Sequence, residues 1–116
     1  MDTATQPPEV RAVWIRQLND LLRIYGIGGD IILTRGVCNK GDDFIAQAFR
    51  AVADYDAFTE GNDPHGEHDF GDLTLDGESV FFKIDYYDRK KEYGSEDPAD
   101  PEKTCRVMTI LLAEEY

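Results

Sequence analysis

Asp76-Gly77 sits between two runs in which apolar and polar residues alternate, and no other feature of this chain restricts its fold as strongly. Both central positions of a two-residue hairpin turn favour positive φ, which Asp-Gly supplies, so the dipeptide ties two antiparallel strands together in one register. Before the turn, Leu73 and Leu75 alternate with Asp72, Thr74 and Asp76. After it, Glu78 to Tyr87 places Val80, Phe82, Ile84 and Tyr86 on one face and Phe81, Lys83, Asp85 and Tyr87 on the other. Such a pattern belongs to strands with one face in a core. A further strand, Cys105 to Ala113, is nearly all apolar on both faces and fits the sheet interior, paired with Glu78 to Tyr87.

Upstream, Val10, Val13, Trp14, Leu18, Leu21, Leu22 and Tyr25 recur at helical spacing, so a helix is expected from Pro7 and Pro8 to about Tyr25. This stripe is expected to face the core, with Arg11, Arg16, Asn19, Asp20 and Arg23 facing away. Gly26 ends the helix, and because the glycines precede a strand they form no phosphate loop. Asp30 to Val37 is short and β-branched and reads as a strand; Asn39 to Gly41 turns the chain. Asp42 or Asp43 then caps a second helix, with Phe44, Ile45, Ala48, Phe49 and Val52 on one face, that stops near Tyr55. Phe58 plugs the core, Thr59 to Asp69 is loop by composition, and Asp88 to Lys103, with Asp97-Pro98 and Asp100-Pro101, is a surface connection. The order α-β-α-β-β-β predicts an α+β fold in which two helices pack on one face of a mostly antiparallel four-stranded sheet. Its length suits one domain over residues 1–116, with a flexible arm at 1–8.

The charge is unevenly placed. Between Asp54 and Glu102 there are sixteen carboxylates against four cations, an excess equal to the whole net charge of -12. A one-signed field repels nucleic acid and anionic membranes and attracts basic surfaces. Arg89 to Lys91 is too short and too surrounded by acid to bind a phosphate backbone. Cys38 and Cys105 show no CxxC pattern and are expected to be reduced in a cytoplasm. No apolar run reaches the roughly 20 residues that span a bilayer.

The histidines are both in Asn62 to Asp69. His65, His68 and Asp69 are ligand types for zinc or another divalent ion, with Glu67 or Asp69 as base, which makes a small metal-dependent hydrolase one reading of the loop. Glu67 and Asp69 with Asp85 are also a possible acid-base pair, although carboxylates are abundant throughout. The plainer reading is a structured acidic loop in which Asn62 and Asp63 bond backbone amides and Gly66 takes positive φ, with no cofactor.

Three segments, NDPHGEHDFG at Asn62 to Gly71, FFKIDYYD at Phe81 to Asp88 and SEDPADPEKTCRVMTILLAEEY at Ser95 to Tyr116, resemble a family of small bacterial proteins catalogued as a domain of unknown function, number three-seven-six-eight. LNDLLR at Leu18 to Arg23 and LTRGV at Leu33 to Val37 extend the likeness. The resemblance implies a small bacterial, cytoplasmic, single-domain protein and brings no functional residue with it. The leading functional expectation therefore rests on charge. It is a non-enzymatic protein-binding module that mimics nucleic acid and blocks a basic groove of a nucleic-acid-binding machine, as anti-CRISPR inhibitors do. Asp63, Glu67, Asp69, Asp72, Asp76, Asp85 and Asp88 are the expected contacts, with no direct binding to nucleic acid or membrane.

Overall fold

In the computed structural model, which describes residues 3–116, the hairpin lies where its turn signal puts it. Strands Phe70–Leu75 (β2) and Glu78–Tyr87 (β3) pair antiparallel from Leu75 opposite Glu78 to Phe70 opposite Lys83. Asp76 and Gly77 take φ of 51° and 78°, the double positive φ the turn requires. Cys105–Leu112 (β4) runs antiparallel along the other edge of β3, with Val80 opposite Leu112 and Tyr87 opposite Cys105. Asp30–Leu33 (β1) joins β4 in parallel, so the sheet order is β1-β4-β3-β2. The fold is α+β, but the sheet is mixed, with one parallel pair.

Helices Pro8–Tyr25 (α1), Arg35–Asn39 (α2) and Asp42–Asp54 (α3) make three, where two were expected. The expected strand over Asp30 to Val37 stops at Leu33, and its second half is α2. The reason is a distant cap: the Glu115 carboxylate accepts from the Thr34 hydroxyl at 2.6 Å and from the Gly36 amide at 3.0 Å, closing the start of α2 from 79 residues away. Nothing near Thr34 in sequence announces that partner.

The core lies on the sheet face that carries Val80, Phe82, Ile84, Met108, Ile110 and Leu112, all buried and matched across the β3-β4 ladder. Leu22 of α1, Val37 of α2, and Phe44, Ala48 and Val52 of α3 cover it, while Phe58 and Tyr55 pack at its margin, each edge-on to the Phe82 ring. Gly71 is buried beneath that ring, where a β-carbon would come within 2.1 Å of Phe82. On the opposite sheet face Phe70, Phe81 and Tyr116 form an aromatic group with centroids 5.2 to 6.2 Å apart.

α1 is oriented differently from its wheel. Asn19 and Arg23 are fully or almost fully buried beside Ile15 and Leu22, whereas Leu21, Ile24 and Tyr25 are exposed. The face expected to meet solvent meets the protein because its polar groups find partners in the loops, as described below. The segment 88–103 is likewise built in: Asp97 is buried, paired with Arg11 at 2.7 Å and hydrogen-bonded by the Thr3 hydroxyl. The arm expected over 1–8 therefore carries structure from Thr3, where Thr3–Thr5 forms a 3-10 turn; Met1 and Asp2 lie outside the described residues.

Candidate functional site

The segment from Thr59 to Asp69 folds over the polar face of α1 and is tied down at several points. The Asn62 side chain accepts from the Thr59 amide at 2.7 Å and donates to the Ala57 carbonyl at 2.9 Å. Asp63, a buried carboxylate, accepts from the amides of Glu67 and His68 at 3.1 and 3.2 Å, so the loop turns around it. Gly66 takes φ 68°, and its carbonyl accepts from Arg16 at 3.1 Å. His68, at φ 57°, adopts a left-handed conformation that sequence did not announce. Its ring stacks on Phe58 at 3.8 Å, its Nδ1 lies 3.0 Å from Asp20, and its Nε2 lies 3.9 Å from Asp63. Both imidazole nitrogens thus face carboxylates.

Beneath the loop runs a buried polar chain. The Arg106 Nε donates to the Asn19 Oδ1 at 2.6 Å; the Asn19 amide donates to the Glu67 carbonyl at 2.9 Å and to the Tyr86 hydroxyl at 2.7 Å; that hydroxyl donates to the Glu67 Oε1 at 2.9 Å. Arg106 also donates to the Pro98 carbonyl at 2.5 Å and lies over the Tyr86 ring at 5.1 Å. One helix, one loop and two strands are joined through a single asparagine. Inside a protein, such a chain is strong when every member is satisfied. A charged residue within a strand read as nearly all apolar was the available signal for it, because a buried arginine requires acceptors.

Burial pushes the Tyr86 phenol well above its ordinary value, so it acts as a neutral hydrogen-bond donor. Burial also raises the Glu67 carboxyl; Asp69 and Asp63 add to the rise, and the Tyr86 hydroxyl and His65 offset part of it. Asp69 is raised chiefly by burial, with Asp63 and Asp85 contributing. A carboxyl raised on folding is stabilising in its protonated form, and that contribution is lost as pH rises through its folded pKa. We therefore expect Glu67→Gln, which still accepts from Tyr86, to match or exceed the wild type at pH 7 by up to about 1 kcal/mol. The difference should vanish below Glu67's ordinary value of 4.5, as read from urea unfolding at several pH values. A variant less stable than wild type at pH 7 would show that the charge of Glu67 is needed.

The expected site residues fall into separate places. Glu67 and His65 border a cleft against Pro8, Glu9, Arg11 and Ile15, whereas Asp69 and Asp85 line another with Phe70, Lys83 and Tyr116. Asp85 is paired with Lys83 at 2.9 Å, and Asp88 accepts from the Glu92 amide at 3.0 Å. Asp72 and Asp76 are exposed on β2 and at the hairpin tip. His65 is exposed while His68 is turned to Asp20, and among the described residues no three His, Cys, Asp or Glu side chains are placed to hold one metal ion. Cys38 and Cys105 are both free thiols. Among the described residues no helix is long and apolar enough to cross a membrane.

Fold and loop together define a small α+β domain whose acidic loop is locked onto its first helix by a buried polar chain. Within that class, the chain belongs to the family described as protein of unknown function DUF3768, whose model matches residues 33–115. That span takes in the loop, Tyr86 and Arg106, while α1 with Asn19 precedes it. Searches of curated proteins and of solved structures gave no match.

Proposed function

We propose that the protein is a non-enzymatic binding module whose carboxylate-rich edge occupies the basic groove of a nucleic-acid-binding protein, where nucleic-acid phosphates would otherwise lie. The observation that supports this reading is how little of the negative surplus is neutralised within the fold. Of the sixteen carboxylates between Asp54 and Glu102, only Asp63, Glu78, Asp85 and Asp97 have a cation or histidine within ion-pair reach among the described residues. Asp54 and Asp56 lie at the end of α3, which packs beside the edge strand β2, while Asp72 lies on that strand and Asp76 at the hairpin tip. All four are exposed.

Spaced, unpaired carboxylates compete with phosphates for lysine and arginine, and such competition weakens as salt rises. Size, charge and α+β class are those of anti-CRISPR-like inhibitors, an analogy that orders the candidates to test. The same reading places the protein in the cytoplasm, where two unpaired thiols stay reduced. The test is to immobilise the protein and a variant carrying Asp54→Asn, Asp56→Asn, Asp72→Asn and Asp76→Asn in bacterial lysate. Wild type should retain nucleic-acid-binding proteins that nucleic acid competes off, with retention falling roughly tenfold in the variant and in about 0.5 M salt. Retention indifferent to both, or no nucleic-acid-binding protein retained, overturns the reading.

A further inference from the structure

We propose that α1 packs against α1 of a second copy, forming an isologous antiparallel dimer through Trp14, Leu18, Leu21 and Tyr25. These residues are spaced four, three and four apart, the 3.5-residue repeat of a seam between two helices. They lie on a face of α1 separate from the one that carries Ile15, Asn19 and Leu22 into the protein. The helix thus has two faces to bury and buries one. Leu21 is 41%, Ile24 40% and Tyr25 70% exposed, and Ile27 just beyond the helix is 57% exposed. Those four residues together expose on the order of 400 Å², the size of patch that on a small protein is often functional. Trp14 and Leu18, half-buried along a groove shared with Thr3, Ala99 and Pro101, add no more than about 150 Å², so the face suits a weak, concentration-dependent dimer smaller than a standard interface.

Charge selects the occupant. Between Val13 and Tyr25 this face carries one polar residue, Gln17, and no charge. The charged residues of α1 are directed elsewhere: Arg11 to Asp97, Arg16 to the Gly66 carbonyl, and Arg23 to Asp20. A basic partner drawn in by the -12 field would leave its cations desolvated and unpaired here, whereas a second copy brings an equally uncharged face. The negative surplus belongs to 54–102, so the two copies approach through their neutral half. A two-fold axis between Leu18 and Leu21 sets Leu18 against the second copy's Leu21 and Trp14 against its Tyr25.

Sedimentation equilibrium between about 1 and 100 µM, in about 0.1 and 0.5 M NaCl, tests this. The wild type should show a monomer-dimer equilibrium that tightens with salt as the like charges are screened. Leu21→Glu and Tyr25→Glu should each raise the dissociation constant at least about tenfold, with unchanged far-UV circular dichroism. If Leu21→Glu disturbs the fold, Tyr25→Glu decides the matter, its side chain being the more exposed. A wild type that stays monomeric over the whole range, or a dimer untouched by a folded variant, overturns the proposal. So does a monomeric wild type that loses a captured protein on Leu21→Glu, which would assign the face to a different partner. The acidic-edge reading stands or falls separately, on the Asp→Asn variant.

Discussion

Asn19→Ala is expected to lower the free energy of unfolding by about 3 kcal/mol, near the upper end for hydrogen bonds to a charged group. Asn19 has no exposed surface, and among the described residues its amide is the only group joining α1 to the acidic loop, to Tyr86 and to Arg106 at once. Alanine removes two donors and one acceptor from a position with no exposed surface. The heaviest loss falls on Arg106, whose buried Nε then has no acceptor while its charge remains. A double-mutant cycle isolates that contribution: Arg106→Met combined with Asn19→Ala should cost at least about 1 kcal/mol less than the sum of the single changes, because the stranded cation is gone. Additivity within error would mean the two side chains do not cooperate, and the buried chain would lose its central link.

Arg23→Met should cost about 2 to 3 kcal/mol for a different reason. One guanidinium nitrogen of Arg23 donates to the carbonyls of Val52, Ala53 and Tyr55 at 2.8, 3.2 and 2.9 Å at the end of α3, where the Val52 carbonyl also accepts from the Tyr55 amide at 3.4 Å. The other donates to Asp20, and the group lies 5.3 Å from the Phe58 centroid and 5.9 Å from that of Phe82. Methionine keeps the apolar stem but supplies neither donors nor the positive charge that suits a helix C-terminus. Lysine at the same position should recover part of the loss, since one ammonium can reach some of those carbonyls without the planar contact to the rings. The Arg23 Nε has no hydrogen-bond partner, which keeps the expected effect below that of a fully satisfied arginine. Urea unfolding followed by circular dichroism reads all three proteins; a loss under about 1 kcal/mol for Arg23→Met would mean that water caps α3 as well as the guanidinium does.

What the sequence disclosed follows from how local each cause is. The hairpin was legible because Asp76-Gly77 and the alternation around it act within a few residues, and the β3-β4 pairing followed because a strand apolar on both faces has few places to go. The parallel β1-β4 pair and the short α2 were not legible, since the partner of each lies more than seventy residues away. The orientation of α1 was misread for a physical reason. A helical wheel ranks faces by hydropathy, but a polar face goes inward when the surrounding segments supply partners for most of the groups on it, as Gly66, Glu67, Tyr86 and Asp97 do here. Of the site, the loop's turns around Asn62, Asp63 and Gly66 were readable from residue type. The placement of Glu67 against Tyr86 and Asn19 depended on three elements meeting and was not.

The parallel pairing of β1 with β4 also bears on how the chain is made. β1 has β4 as its only neighbour in the sheet, and roughly seventy residues separate Leu33 from Cys105. At about 5 to 20 residues per second, the ribosome needs on the order of 4 to 14 s to deliver that partner. Throughout that interval Ile31 and Leu33 have no strand to pair with, and α2 has no Glu115 to close it. The N-terminal half of the chain therefore leaves the ribosome with its sheet unmade, and its order arrives with the C-terminal strand.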